Sequence, residues 1–204
     1  LRDPHASVSY TVRAVDPKNW NAEWERSFTP VEVGTDVRIR ADFHEPAPGF
    51  KYELIITPRM AFGTGHHATT ATVLRLLVDL AEALNKSGKP WSMADLGCGS
   101  GILAIAADKL GASRVWGCDY DPAAVRISKE NAVRNDTPKV SFTRIDVLKW
   151  QPKQTWDIVA ANIFHDVLEA AFPQLIQSVA PGGVLMLSGI LRTQAKDCLA
   201  AGKR

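Results

Sequence analysis

Cysteine is scarce, no long apolar run exists, and neither sign of charge gathers in one stretch. Each shortage removes a class of function. Three cysteines, Cys98, Cys118 and Cys198, are too few and too unevenly spaced for a disulfide framework or a zinc site. They are expected as buried reduced thiols, and no metal site is expected. No segment approaches the ~20 apolar residues a bilayer span requires, and the first residues lack the basic, apolar and small-residue order of a signal peptide. A cytoplasmic protein without a membrane partner is the expectation. The 24 lysines and arginines are interspersed with 22 acids for a net charge of +2, so no basic stripe calls for direct nucleic-acid binding. Internal repeats and low-complexity tracts are missing too.

What is present is an ordinary globular composition. Of 204 residues, 46% are apolar and 23% charged, enough for one full domain with a small appendage. Val8 to Ala14 alternates apolar and polar residues as a half-buried strand does. Trp20, Trp24 and Phe28 fall four apart on one helical face, a stripe suited to packing the appendage onto the rest, and Pro30 ends the pattern. Val37 to Ala41 and Glu53 to Thr57 are further strand-like runs, separated by Pro46, Pro48 and Gly49. Residues 1–58 are therefore expected to form a small α/β appendage.

From about residue 59 helix and strand patterns alternate, the signature of a parallel sheet with crossover helices. Val73, Leu77, Leu80 and Leu84 mark the apolar face of a helix from about Thr69 to Leu84. Strands are expected at Met93–Leu96, Val115–Cys118, Val140–Ile145, Ile158–Ala161 and Val184–Ser188. Ile102 to Leu110 forms a helix closed by Gly111, and Asp121 with Pro122 caps and opens another that runs to about Arg134. The fold class is α/β, a doubly wound Rossmann-like sheet over residues 59–204.

The strongest chemical signal is Asp95-Leu96-Gly97-Cys98-Gly99-Ser100-Gly101, where a strand ends and a helix begins. Alternate glycines let the backbone approach a ligand, and the helix N-terminus presents free N–H donors. Asp119 ends the next strand, where a carboxylate can take both hydroxyls of a ribose. Together these point to a nucleoside site. Dinucleotide sites space their glycines differently and seat a pyrophosphate, which Asp95 would repel.

That arrangement resembles the class I S-adenosylmethionine-dependent methyltransferases, whose ligand is a cation carrying an amino acid. Asp146, after the third strand of the sheet, falls where that family often has a carboxylate contacting the adenine amino group; a solvated loop acid is the alternative. A second constellation, Phe62-Gly63-Thr64-Gly65-His66-His67-Ala68-Thr69-Thr70, precedes the first helix, where the two threonines can cap it or meet a ligand. With Asn162-Ile163 after the fourth strand, and Leu187-Ser188-Gly189-Ile190-Leu191 and Gln194 after the fifth, the set resembles the PrmA family. Phe43-His44-Glu45-Pro46 and the aromatic stripe extend the resemblance over nearly the whole chain.

The resemblance implies transfer of methyl groups from S-adenosylmethionine to lysine ε-amines and an N-terminal amine of a ribosomal protein, the eleventh of the large subunit. It further implies cofactor contacts from Phe62, Gly63, Thr64, Gly65, Thr70, Asp95, Gly97, Gly99, Gly101, Asp119, Asp146 and Asn162. His66 and Ala68 depart from the family's usual threonine and proline. The appendage is expected to be the remnant of a substrate-recognition domain, and the methyltransferase sheet to lack its last strands. A monomer acting on a ribosomal protein is expected.

Methyl transfer needs a neutral amine aimed at the methyl carbon, so positioning outweighs covalent chemistry by the protein. Asn162 is placed at the reacting centre, because its amide oxygen can accept from the amine. His66 and His67 have the reach to act as bases, but a histidine next to a glycine loop is more often structural. Asn162-Ile163-Phe164 lacks the paired prolines common in enzymes that methylate base amines, so a flipped base is disfavoured and Phe164 is expected in the core. His165 and Asp166 are expected as solvated loop residues. Two alternatives remain open: a methyltransferase for a small-molecule or RNA amine, and a cofactor-binding module without turnover.

Overall fold

The computed structural model describes residues 10–11, 29–57 and 68–201; the Trp20, Trp24, Phe28 stripe and nearly all of the Val8–Ala14 run lie outside them. The first unit among the described residues is a three-stranded sheet, β1 (Val31–Val33), β2 (Val37–Arg40) and β3 (Tyr52–Ile55), in that order. β1 and β2 are antiparallel; β2 and β3 are parallel. Strand β1 went unanticipated because three residues are too few to establish an alternation. Glu53 clasps β3 to β2 by accepting from Arg38 at 2.8 Å and Arg40 at 2.7 Å. Burial is the largest influence on the Glu53 carboxyl and raises its pKa, but the two arginine hydrogen bonds outweigh it and hold the group below the usual range.

The main sheet has five strands, all paired in parallel, in the order β6-β5-β4-β7-β8. They are β4 (Ser92–Leu96), β5 (Arg114–Asp119), β6 (Val140–Arg144), β7 (Trp156–Asn162) and β8 (Val179–Ser188). Among the described residues five helices accompany them: α1 (Ala68–Lys86), α2 (Ile102–Lys109), α3 (Pro122–Arg134), α4 (His165–Gln177) and α5 (Ala195–Ala201). The chain winds outward from β4 to β6 and then returns to β7 on the other side of β4. This doubly wound topology opens a crevice beyond the carboxyl ends of β4 and its neighbours, where the order reverses.

Local signals explain most of these elements. Asp121 caps α3 by accepting from the Ala123 N–H at 2.8 Å, and Pro122 supplies a pre-set first turn. Gly111 adopts φ 104° just past α2, a conformation that costs a glycine little. Strand β8 starts earlier than its Val184–Ser188 core, at Val179. The register slips between Trp156 and Ile158 of β7, so Ala180-Pro181-Gly182-Gly183 is accommodated as an irregularity that reads locally as a turn.

Two apolar clusters cover the two faces of the sheet. On one face α1, α2 and α3 pack on β4 together with the small sheet, whose Val33, Val37, Ile39, Leu54 and Ile56 join the same cluster. On the other, Leu168, Ala171 and Leu175 of α4 cover Leu96, Val159 and Ala161. All three cysteines are free and buried. Burial pushes the Cys118 thiol up to about 12 and Cys98 well above its ordinary value, so these two are poor nucleophiles. No described helix is long and apolar enough to cross a membrane.

The edge of β3 facing away from β2 is completed by side chains. Alternate N–H groups of this segment serve β2, with Tyr52 donating to Asp36 O and Ile56 to Arg40 O. The intervening groups point to α3: Ile55 N–H donates to Asn135 Oδ1 at 2.8 Å, Asn135 Nδ2 donates to Ile55 O at 2.7 Å, and Thr57 N–H donates to Asn131 Oδ1 at 3.2 Å. Two carboxamides thus take the place of a further strand.

Candidate active site

Phe62, Gly63, Thr64 and Gly65, with His66 and His67, lie outside the described residues. The other expected residues fall at the carboxyl end of the sheet. Thr70, Asp95, Gly97, Gly99 and Asn162 line one narrow cleft, with Ile102 and Leu103 of α2 as its apolar wall. Gly97, Gly99 and Gly101 have φ of 75°, 53° and 80°, the left-handed region that an L side chain resists. A Cβ on Gly97 would overlap Ile163 Cγ2, and one on Gly101 would lie 2.8 Å from both Phe142 and Ser128. Gly97 therefore shapes the cleft, whereas Gly101 permits close packing behind it.

Asp95 is 1% exposed and accepts from the Ala104 N–H at 3.3 Å. Burial, opposed by that hydrogen bond and reinforced by the charge of Asp119, pushes its carboxyl up to about 7. A buried acid held near neutrality favours a cation in the cleft. Asp119 braces the loop: one carboxylate oxygen accepts from Gly99 N–H and the other from Asp121 N–H, both at 3.0 Å. Each oxygen keeps a second lone pair for a ligand hydroxyl.

Thr70 is completely buried and sits inside the first turn of α1, so it does not cap that helix. Its hydroxyl accepts from Asn162 Nδ2 at 3.4 Å, while Asn162 Oδ1 is buried without a partner. A buried amide oxygen left unpaired costs free energy unless a ligand donor meets it, so it marks the place for one. Asp146 is not brought into the cleft. Its carboxylate accepts from Leu148 N–H at 3.1 Å and pairs with Lys149 at 3.6 Å, capping a turn just past β6.

Three expectations change around Asn162. Phe164 is 74% exposed instead of buried, because it stands just ahead of α4 and faces away from the sheet. His165 and Asp166 are not in a loop; they open α4, and His165 is largely buried with Nε2 at 3.7 Å from Glu169. Ile163, named in the sequence motif without a role of its own, is a wedge: Gly97 lies against its side chain and Gly189, at φ 86°, against its carbonyl. Asn131 and Asn135 were also missed. Their only signal was two asparagines four apart, one on the helix face that carries Ala124, Ile127 and Ser128 and the other just past the helix end.

Known proteins resemble this chain in sequence and in fold. The chain is 35% identical over 187 residues to a ribosomal protein L11 methyltransferase of Phocaeicola vulgatus, covering 91% of this chain and 64% of that protein. It is 40% identical over 193 residues to one of Azotobacter vinelandii, covering 94% and 63% respectively. The crystal structure of a ribosomal protein L11 methylase from Lactobacillus delbrueckii subsp. bulgaricus superposes with a TM-score of 0.75 at 30% identity, covering 85% of this chain and 86% of that one. This chain thus spans slightly less than two thirds of the length of these curated relatives.

S-adenosylmethionine, the cofactor of class I methyltransferases, fits the cleft on two observations: a buried acid for its ammonium, and left-handed glycines where the backbone must come close to it. The family described as ribosomal protein L11 methyltransferase (PrmA) matches residues 2–204. By its sequence and its fold, the chain belongs to that family.

Proposed function

We propose that this chain transfers methyl groups from S-adenosylmethionine to lysine ε-amines and the N-terminal amine of the eleventh large-subunit ribosomal protein. The unpaired, buried Asn162 Oδ1 carries this reading, because it offers an acceptor for an amine N–H at the mouth of a cleft lined by an acid. When bound, the cofactor supplies an electrophilic methyl carbon whose bond to sulfur breaks as the amine nitrogen attacks in line, the bonding pair passing to sulfur.

The protein's residues supply position and surroundings. Asp95 holds the ammonium and Asp119 takes the ribose hydroxyls. Asn162 accepts from the acceptor nitrogen and so aims its lone pair, with Thr70 fixing the carboxamide plane through the hydrogen bond to Nδ2. The amine must arrive neutral, and a site holding a sulfonium favours the deprotonated form. Phe62, Gly63, Thr64 and Gly65 complete the cofactor contacts, Gly97, Gly99 and Gly101 shape the loop, and residues 1–58 serve the acceptor side of the 59–204 methyl-transfer unit. The reading is of a monomer in the cytoplasm that meets a ribosomal protein without gripping nucleic acid.

Incubation with radiolabelled S-adenosylmethionine and ribosomal proteins from a source lacking this methylation, followed by mass mapping, tests the reading. Label is expected on lysine or N-terminal amines of the eleventh large-subunit protein. Asn162→Ala is expected to lower the rate by about 10²-fold, with cofactor affinity held within a few-fold. Label on another acceptor would redirect the substrate assignment; an undiminished rate in Asn162→Ala would remove its role.

A further inference from the structure

We propose that Asn131 is a positioning residue of the cofactor site, locking the glycine loop at Ser100 to the segment that leaves β3 at Thr57. The proposal rests on the S-adenosylmethionine reading above. Asn131 is fully buried in α3 and does not line the cleft. Its Nδ2 donates to Ser100 O at 2.9 Å, and its Oδ1 accepts from Thr57 N–H at 3.2 Å. One planar carboxamide therefore ties together two segments that are distant in sequence, each adjoining candidate cofactor residues.

Ser100 needs an outside anchor. It lies between Gly99 and Gly101, both at positive φ, and glycines in series leave a loop with several accessible peptide orientations. The Ser100–Gly101 peptide is held at both ends: its carbonyl by Asn131, and its N–H, that of Gly101, by Cys98 O at 2.8 Å. With the carbonyl drawn into α3, the peptide plane is set behind the loop, and the side of Gly97 and Gly99 that faces the cleft is set with it. Loss of the amide donor would leave this peptide held at its N–H alone and its carbonyl without Asn131.

Asn135 supplies the internal control. It follows α3 directly as its C-cap, is 4% exposed, bonds both backbone groups of Ile55 and donates to Asn131 O at 2.8 Å, yet has no bond to the glycine loop. A merely structural role for the pair would make the two asparagines equivalent for cofactor affinity. A positioning role separates them.

The test is binding of S-adenosylmethionine and S-adenosylhomocysteine to the full chain by calorimetry, alongside urea unfolding, for the parent, Asn131→Asp, Asn131→Ser and Asn135→Ala. Asn131→Asp is isosteric and keeps the acceptor for Thr57 while removing the donor to Ser100; Asn131→Ser removes the amide without adding charge. Both are expected to bind at least about tenfold more weakly, with Asn135→Ala within twofold of the parent although less stable than it. A folded Asn131 variant within twofold of the parent would overturn the proposal, as would an equal loss in Asn135→Ala. Failure of both Asn131 variants to fold while Asn135→Ala folds would make Asn131 structural and also overturn it. A folded parent that binds neither ligand would instead overturn the cofactor reading itself.

Discussion

A carboxyl group sealed from water at the base of a ligand cleft is costly to the empty protein and useful to the occupied one. Asp95 has its pKa raised to about 7 chiefly by burial. Its protonated form is therefore the one the empty fold prefers. That contribution to stability is fully present below the ordinary aspartate range near ~4 and is lost as pH rises through about 7. A bound ammonium reverses the preference, because it stabilises the carboxylate. Cofactor affinity is expected to rise as pH passes from roughly 6 to roughly 8, with proton release on binding at the lower end. Asp95→Asn keeps an oxygen for the Ala104 N–H and removes the charge. It is expected to be more stable than the parent at pH 8 by on the order of 2 kcal/mol in urea unfolding. It is also expected to bind the cofactor at least about tenfold more weakly, with a flat pH profile. An asparagine variant that retained the parent's affinity and pH dependence would remove Asp95 from the site.

Elements differ in how openly their sequences declare them. α3 was legible to the residue because Asp121 and Pro122 act locally, through a cap and a fixed φ, and need no distant partner. The glycine loop was legible for the same reason. α4 was not: Phe164 precedes it without a side-chain cap and Pro173 lies inside it, so its start carries no signal and its interior carries a contrary one. Its stability comes from Leu168, Ala171 and Leu175 packed on the sheet, which is tertiary information. The turn between β7 and α4 is set in the same long-range way, by Ile163 held between Gly97 and Gly189. Gly189→Ala is therefore expected to displace Asn162 without touching it. A Cβ there would overlap the Ile163 carbonyl oxygen, and φ 86° adds strain of about 1–2 kcal/mol. The expected result is a fall in kcat of about tenfold or more, with a smaller change in the cofactor's KM. Unchanged turnover in a folded variant would show that the turn does not aim the acceptor site.

At the scale of the whole molecule, the division at residue 58 that composition suggests is not a division of the core. Strands β2 and β3 and helices α1 to α3 were legible one by one, but their union was not, because it depends on side chains that meet across the fold. Leu54 of β3, fully buried, sits in the same cluster as Leu74 and Leu77 of α1 and Ile105 of α2. The carboxamides of Asn131 and Asn135 join the β3 edge to α3. A unit so attached should not unfold alone. Leu54→Ala is expected to cost about 2–5 kcal/mol, the usual range for emptying a buried leucine site. If the two sheets form one cooperative unit, that loss will appear undiminished in the slowest-exchanging amides of β4 and β7, whose exchange then requires global opening. Hydrogen exchange followed by mass spectrometry measures it directly. Protection lost from β1–β3 but kept in β4 and β7 would mean that the small sheet opens separately. The cofactor loop would then have to hold its shape without it, and the link through Asn131 would serve only while the small sheet is closed.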